Sequence, residues 1–286
     1  MSATTLATRH MAHQRLKLST LLQYLPVAWL VLAVVIAVLA PLLPIGSPFR
    51  QQLLHPLKPP SLSHFLGTDS LGRDIFARSV YGLRISLVIG FASVLFGLAI
   101  GGLIGLLSGF FRGLVDTVLS AVMTIILSFP PLVLAIAIMA YAGPSITKVA
   151  VALGILFVPA FARVARANAL LLSEREFVLA ARSFGMHPAA IVLREILPNL
   201  ATPLLAYATL MVAIAVNGEA ALSFLGLSVP PPYPTLGGMI AAERANLLDA
   251  PWTILGPALF LFLTILSLNI AGDQLQKRID RREAAL

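Results

Sequence analysis

The sequence predicts an all-α polytopic membrane protein with six transmembrane helices, and three observations lead to this fold class. Of the 286 residues, 58% are hydrophobic and only 11% are charged, whereas a soluble domain typically has about 25% charged residues. The mean hydropathy is +0.93. Several long stretches carry no charge, and five of them reach the roughly 20 residues that a membrane-spanning helix needs. This composition excludes a soluble enzyme.

The six predicted spans follow the charge-free stretches of the chain. The shortest charge-free stretch, 149–162, is too short to span a membrane by itself. We therefore expect a span around 145–165, with the side chains of Lys148 and Arg163 snorkelling from its ends. The first span, 21–44, is longer than the roughly 7–15 apolar residues of a signal peptide, and we expect it to stay uncleaved. The charge-free stretches are residues 18–49, 85–111, 117–147, 149–162, 196–218 and 250–272.

The positions of Lys and Arg predict the orientation, because cytoplasmic loops carry an excess of both. With the N-terminus inside, 13 of the 20 Lys and Arg residues lie on the cytoplasmic side, and both termini are cytoplasmic. The formal charge of +8 then reflects topology in the cell inner (plasma) membrane, with lipid and not nucleic acid as the partner. The expected organisation is a cytoplasmic segment 1–20, a first span 21–44, an extracytoplasmic loop 45–83, a five-helix core 84–276 that includes a cytoplasmic loop 169–198, and a cytoplasmic tail 277–286.

Two extracytoplasmic segments are longer than turns. Residues 45–83 are rich in proline, and their second half, GTDSLGRDIFARSVYGLR, has the pattern of a helix from about Leu71. We expect Asp69, Arg73 and Asp74 to bind each other and backbone groups, and so to brace this loop. The other outer loop is 225–250, with the helix-breaking residues Pro230, Pro231, Pro232 and Pro234.

The long cytoplasmic loop predicts two helices joined by a glycine. Ser173 followed by Glu176 has the spacing of a capping box, which favours a helix over about Glu174–Phe184. Gly185 suits the left-handed position after that helix. Pro188 suits the first turn of a second helix, which runs toward residue 197. We call residues 174–197 the elbow; it is either an amphipathic connector on the membrane surface or a docking surface for a cytoplasmic partner.

The elbow resembles a motif of a known family. The string AARSFG at 180–185, followed by Leu197–Pro198, is similar to the EAA loop of bacterial ABC-importer permeases. That pattern is Glu-Ala-Ala, three residues, Gly, nine residues and Ile-x-Leu-Pro. Leu179 stands where the pattern has Glu, and Glu195 stands where it has Ile.

Two further segments extend the resemblance over nearly the whole chain, about residues 20–282. They are GTDSLGRDIFARSVYGLRISL at 67–87 and EAALSFLGLSVPPP at 219–232. Both are similar to segments of the dipeptide/oligopeptide/nickel permease family, in subunits of the DppC and OppC type. The three motifs stand in the same order as in that family.

The resemblance implies a type I ABC importer permease fold, and a permease subunit of an ATP-driven importer for peptides or related small solutes. Nickel chelates, opines and glutathione are alternative substrates in the family. The implied partners are a second homologous permease that completes the pathway, two ATP-binding cassette ATPase subunits, and an extracytoplasmic solute-binding protein. The outer-loop residues Asp69, Arg73 and Asp74 would, as an alternative to bracing, receive substrate from that binding protein.

The elbow is then expected to couple the permease to the ATPases. Four of its residues recur at i, i+3, i+4 and i+7, which places them on one helical face. The residues expected at the ATPase contact are Phe177, Ala180, Ala181, Phe184, Gly185, Met186 and Pro188.

The chain lacks the motifs of an enzyme. No GxxxxGK[ST] phosphate-binding loop occurs, so we expect ATP and Mg²⁺ to bind in the partner ATPase subunits and no cofactor to bind in this chain. The chain has no cysteine, and its five histidines form no metal-ligand spacing, so no catalytic or metal residues are predicted. The alternative function is a stand-alone secondary transporter or channel, which typically shows matched broken helices in two repeats. We find no such symmetry.

The predicted spans also contain a repeated glycine pattern and two polar residues. Gly97, Gly101, Gly105 and Gly109 recur at four-residue spacing, which favours close packing against a neighbouring helix of this chain or of the second permease. Asn217 and Glu219 lie near the outer end of the fifth span. Glu219 either pairs with a cation of the outer loop, such as Arg244, or belongs with Asn217 to the pathway or a gate.

Overall fold

The computed structural model describes residues 25–54 and 56–283, and the predicted segment 1–20 and the end of the tail lie outside this part. The described residues contain helices, loops and one isolated bridge between Thr68 and Asp74. The helices are α1 (Leu25–Leu39), α2 (Ile75–Phe111), α3 (Gly113–Leu127), α4 (Pro131–Ala142), α5 (Ile146–Ser173), α6 (Glu176–Ser183), α7 (Pro188–Phe224), α8 (Leu236–Ala242) and α9 (Trp252–Glu283). The all-α fold class is confirmed.

The count of six spans is approximate. Within the described residues, four helices are long and apolar enough to cross a membrane: α2, α5, α7 and α9. The predicted third span is a bent pair, since α3 and α4 meet at 86°. Pro130 and Pro131 explain the bend, because a proline lacks the backbone N–H that helix propagation needs and restricts the residue before it. The described part of α1 is a shorter apolar helix.

Helix α2 continues across the boundary that the sequence predicts between the outer loop and the second span. The side chain of Asp74 caps the helix by accepting a hydrogen bond from the backbone N–H of Ala77 at 2.8 Å. From there the helix continues for 37 residues to Phe111. The expected loop helix and the second span are therefore one continuous helix, which crosses the predicted division at 83/84.

Helix α5 is longer than the span predicted around 145–165. It runs on to Ser173, whose hydroxyl donates to the carbonyl oxygen of Ala169 at 2.6 Å. Ser173 therefore ends α5 and does not cap the next helix, so the predicted capping box is wrong. Arg163 lies inside the helix and not at its end, which removes the basis for its expected role as a snorkelling terminal residue.

The glycine stripe packs α2 against α5 of the same chain. A Cβ on Gly101 would lie 2.3 Å from the carbonyl oxygen of Val158, and a Cβ on Gly105 would lie 2.2 Å from that of Ala162. These are distances that a real side chain does not tolerate, so the two backbones approach as closely as glycine allows. The partner of the stripe is thus within this chain.

The segment 225–250 is not a simple outer loop, because it contains the packed helix α8. Thr235 caps α8 by accepting a hydrogen bond from the N–H of Gly238 at 3.2 Å. Leu236 and Met239 are buried, and a Cβ on Gly237 would lie 2.2 Å from the carbonyl oxygen of Ala220 in α7. We call residues 45–74 and 225–251 the loop end; the elbow lies at the opposite end of the helices.

The glycine stripe generates a stability prediction. Gly105→Ala should lower the free energy of unfolding by about 1–3 kcal/mol, because the added methyl overlaps the α5 backbone. Gly102→Ala is the matched control, since its Cβ would make an ordinary 3.4 Å contact with Leu204. Thermal unfolding of the purified chain in detergent measures both. Equal midpoints for the two variants would contradict the packing described here.

Candidate functional site

The elbow turns at a glycine, as predicted. Gly185 has a φ of +74°, a left-handed conformation that glycine adopts without steric cost. The N–H of Met186 donates to the carbonyl of Ala181 at 3.1 Å, and the N–H of Gly185 donates to that of Arg182 at 3.0 Å. These two bonds form a Schellman motif, which ends α6 and fixes the turn. Pro188 then begins α7.

The structure divides the predicted coupling face of α6. Ala181 is buried together with Val178, whereas Phe177 and Ala180 are exposed and Phe184 is 89% exposed. Ala181 therefore packs against its own chain and does not belong to the exposed side of the helix. The helical spacing correctly groups residues on a face, but it does not say which edge of that face turns inward. Pro188 is exposed, and Met186 packs partly against the core.

We define the exposed elbow surface as Phe177, Leu179, Ala180 and Phe184. Each of these four residues is exposed, and each belongs to α6 or is its C-terminal cap. The signal that sequence reasoning missed is Val178, which is three residues before Ala181 and completes the buried stripe.

The elbow is attached to the ends of the long helices. The guanidinium of Arg182 lies 5.5 Å from the centre of the Phe110 ring at the end of α2, a cation–π contact. Arg112 forms an exposed ion pair with Glu174 at 2.8 Å. Each contact alone is weak because it is solvent-exposed. Together they bring α6 to the point where α2 ends.

A stronger ion pair lies beside the elbow. Arg166 of α5 donates two hydrogen bonds to Asp116 of α3, at 2.5 and 2.6 Å, in a bidentate arrangement. Ser108 and Ser120 also donate to this carboxylate. The pair fixes the start of α3 against α5.

At the loop end, Asp69 and Arg73 contact each other, and Asp74 does not join them. Asp69 accepts from the backbone N–H groups of Leu71 and Arg73, both at 2.9 Å, and from Nε of Arg73 at 2.6 Å. Asp74, besides capping α2, lies 2.7 Å from Nδ1 of His64. The expectation that all three residues bind each other is therefore wrong for Asp74.

Glu243 is a loop-end residue that sequence reasoning missed. It is buried and accepts hydrogen bonds from the backbone N–H and hydroxyl of Ser70, at 3.2 and 2.7 Å, and from Asn246 at 2.7 Å. It thereby joins the segment around Ser70 to the end of α8. A cavity of about 520 Å³ opens beside this junction, and the residues lining it include Asp69, Arg73, Arg78, Glu243, Arg244 and Pro230–Pro234.

Glu219 has hydroxyl partners where a cation was expected. The side chain is fully buried and accepts from Ser86 at 2.6 Å, Ser223 at 2.9 Å and Ser228 at 3.0 Å. Ser223 is in turn 2.6 Å from the hydroxyl of Thr235. No ion pair to Glu219 occurs within residues 25–54 and 56–277, so the expected pairing with a cation such as Arg244 is wrong. The network joins α2, α7 and the cap of α8.

Asn217 differs from Glu219, although only two residues separate them. Its side chain is exposed, on the same face of α7 as the exposed Ile214. The two candidate pathway residues therefore point into different surroundings. Within the described residues, no group of three or more His, Cys, Asp or Glu residues could hold a metal ion.

Residues 101–284 match the family model described as binding-protein-dependent transport system inner membrane component. The chain belongs to this family of ABC-importer permeases. A dipeptide transport system permease protein DppC from Alkalihalophilus pseudofirmus is 40% identical over 247 residues, which cover 86% of this chain and 81% of the relative. A putative peptide transport system permease of Brucella abortus is 37% identical over 276 residues, covering 96% and 90%.

A third relative is the glutathione transport system permease protein GsiD of Pectobacterium atrosepticum, 40% identical over 221 residues, which cover 77% of this chain and 73% of the relative. Among solved structures, an inward-facing MetNI methionine ABC transporter matches with a TM-score of 0.58 at 21% identity, covering 70% of this chain and 95% of the matched chain. An amino acid ABC transporter with histidines matches with a TM-score of 0.55 at 20% identity, covering 71% and 94%. These matches show the permease fold.

The hydroxyl network around Glu219 generates a second prediction. Ser86→Ala should lower the free energy of unfolding by about 1–3 kcal/mol, because it removes one donor to a buried carboxylate. Ser79→Ala on the same helix is the control, since the buried hydroxyl of Ser79 has no hydrogen-bond partner in the described part of the chain. Chemical or thermal unfolding in detergent compares the two. If Ser79→Ala were the more damaging change, the assigned network would be incorrect.

Proposed function

We propose that this chain is the transmembrane permease subunit of an ATP-driven importer for peptides, and that the exposed elbow surface docks an ATPase subunit. The proposal rests mainly on the elbow, which presents exposed aromatic side chains on a short helix held by a fixed turn. A solvent-exposed phenylalanine such as Phe184 has much to gain from burial in a partner, and contiguous exposed apolar residues commonly mark protein contacts.

The family supports this assignment of the partner. A component of a binding-protein-dependent transport system takes its energy from another polypeptide, and this sequence has no phosphate-binding loop. The ATPases would therefore bind ATP and Mg²⁺ and would meet the permease at the cytoplasmic side. The excess of Lys and Arg on the elbow side agrees with that orientation, with both termini cytoplasmic. The same family argues against a stand-alone secondary transporter or channel.

The substrate class follows from the relatives. The three relatives described above carry names for dipeptide, peptide and glutathione transport. Dipeptides, longer peptides and glutathione share amide bonds and a free carboxylate, so a small peptide is the substrate that fits all three names. A second permease would complete the pathway, and a solute-binding protein would meet the loop end.

The docking role of the elbow predicts a loss of affinity in one variant. Phe184→Ala should weaken binding of the ATPase at least about tenfold and reduce transport, because buried aromatic residues dominate protein interfaces. The chain itself should fold normally, since the side chain is almost entirely exposed. Tyr141→Ala is the control, because Tyr141 is 97% exposed at the end of α4, away from the elbow. Affinity is measured by titrating purified ATPase onto the immobilised permease complex.

If Phe184→Ala bound the ATPase and transported as well as Tyr141→Ala does, the elbow would be only a membrane-surface connector. Loss of transport in both variants would instead indicate a general effect of removing an exposed aromatic side chain.

The turn at Gly185 makes a separate prediction about coupling. Gly185→Val should uncouple ATP hydrolysis from transport, because a β-branched residue is strained at a φ of +74° and shifts α6 relative to α7. Gly185→Asn should retain most coupling, since asparagine tolerates the left-handed region and no atom lies within 4 Å of the added Cβ. The ratio of ATP hydrolysed to peptide imported in proteoliposomes measures coupling. An equal ratio in the valine and asparagine variants would contradict a fixed turn.

A further inference from the structure

The cavity at the loop end has a volume of about 520 Å³. Cavities of about 300–1,000 Å³ commonly hold small molecules, and most of them combine apolar walls with a few polar groups. The loop-end cavity has this composition. Its walls are mostly apolar, and its charged lining residues are Asp69, Arg73, Arg78, Glu243 and Arg244. Its size and walls therefore suit a ligand as small as a short peptide.

Direct contacts bring these charged groups together. The carboxylate of Asp69 accepts a hydrogen bond from Nε of Arg73 at 2.6 Å, and Nε of Arg78 lies 3.5 Å from the same carboxylate. Ser70, the next residue after Asp69, donates both its backbone N–H and its hydroxyl to Glu243. The residues around 69–78 and the end of α8 thus meet at one edge of the cavity.

The two acids of this cluster are already bound to donors of the chain. Asp69 accepts hydrogen bonds from the backbone N–H groups of Leu71 and Arg73 and from the Arg73 side chain. Glu243 accepts two hydrogen bonds from Ser70 and one from the Asn246 side chain. A carboxylate has about four acceptor sites. Each acid therefore has little capacity left for a ligand, and its role is to hold the surrounding chain.

The arginines, in contrast, have donors without partners. Arg78 is only 6% exposed, and its Nη1 donates to the carbonyl oxygen of Pro48 at 3.0 Å. Its buried Nε has no hydrogen-bond partner in the described part of the chain. Over residues 25–54 and 56–277, the Arg73 side chain bonds only through Nε, and the exposed Arg244 forms no hydrogen bond or ion pair. A buried guanidinium with unmet donors is costly unless another acceptor reaches it.

The charge of the lining indicates the chemistry of the missing acceptor. Three arginines and two acids line the cavity, so the lining is cationic by one unit. A ligand group that accepts hydrogen bonds and carries one negative charge meets both the free donors and the excess charge. A carboxylate is such a group, and its two oxygens match the fork of a guanidinium. A structural brace between Asp69 and Arg73 would need neither the cavity nor the further cations.

We propose that the loop-end cavity binds the transported peptide by its C-terminal carboxylate, with Arg73, Arg78 and Arg244 as donors. This rests on the proposed function as a peptide importer and gives that function a binding site within the permease itself. Asp69 and Glu243 are positioning residues, because they hold the two segments that carry the arginines. The apolar walls, which include Tyr233, receive the side chain next to the carboxylate.

The test measures peptide binding to the purified transporter without its solute-binding protein. The affinity for leucyl-phenylalanine is compared with that for its C-terminal amide by ligand-observed NMR, which detects weak binding. The wild-type transporter should prefer the acid. Arg78→Gln should lower the acid-to-amide affinity ratio about tenfold, because the guanidinium is buried. Arg244→Gln should lower it about threefold, because an exposed charge is screened by solvent.

Arg50→Gln is the matched control, since Arg50 is an exposed arginine of the loop end that does not line this cavity. Its acid-to-amide ratio should equal that of the wild type. Arg78→Lys keeps the positive charge and should retain part of the preference. Arg244→Gln should fold normally, because this side chain is exposed and has no partner in the described residues. If Arg78→Gln failed to assemble, Arg244→Gln would decide the test alone.

The proposal is overturned if the wild-type transporter does not prefer the acid, if Arg244→Gln leaves the ratio unchanged, or if Arg50→Gln lowers it equally. Weaker binding of the solute-binding protein with an unchanged peptide ratio would overturn it in favour of a docking surface for that protein. Uptake of the dipeptide by the complete wild-type transporter in proteoliposomes is measured separately. Uptake without binding at the cavity would overturn this proposal alone, whereas absence of uptake would overturn the proposed function.

Discussion

The contact between α2 and α5 holds the two ends of the molecule in a fixed relation. Glycine at every fourth position lets the helix backbones touch, and no larger residue fits at Gly101 or Gly105. Both helices run from the loop end toward the elbow, so their contact sets the distance between these regions. The start of α2 carries Ser86 and the cap Asp74, and its end meets Arg182 of the elbow. A shift between α2 and α5 would therefore displace both regions at once.

Three buried carboxylates accept hydrogen bonds at or beside the loop end. Asp69, Glu219 and Glu243 are buried, and each accepts three or more hydrogen bonds. A buried carboxylate without such donors would be strongly destabilising. The donors to Glu219 and Glu243 come from separate segments, so these two carboxylates tie irregular chain to helices, whereas the donors to Asp69 lie within residues 71–73. This explains why the segment with α8 forms part of the packed structure, although its prolines predict a loop.

Local sequence patterns predict features that depend on neighbouring residues. They do not predict features that depend on contacts between residues far apart in the sequence. Gly185 was correctly expected in a left-handed turn, because the requirement lies in its own backbone. The capping box at Ser173 was wrong, since α5 continues through it while packed against α2. Ala181 is buried and Ala180 is exposed, and this difference depends on which side of α6 packs against the other helices. The donor Ser86 lies 133 residues from Glu219, a separation that no spacing rule addresses.

The elbow passes into α7 without an intervening loop, because the first residues of this helix belong to the elbow. Helix α7 begins at Pro188, inside the elbow, and continues to Phe224 at the loop end. Its regular hydrogen bonding is interrupted over Val192–Ile196, where a π-helical turn forms and the N–H of Leu197 bonds to the carbonyl of Val192. Pro198 contributes to this turn, since it has no N–H to offer Arg194. π-Helical turns occur frequently at functional sites in helices, and this one lies inside α7, beyond the turn at Gly185. At the far end of α7, the buried Glu219 network joins the helix to α2, so α7 connects the elbow to that network.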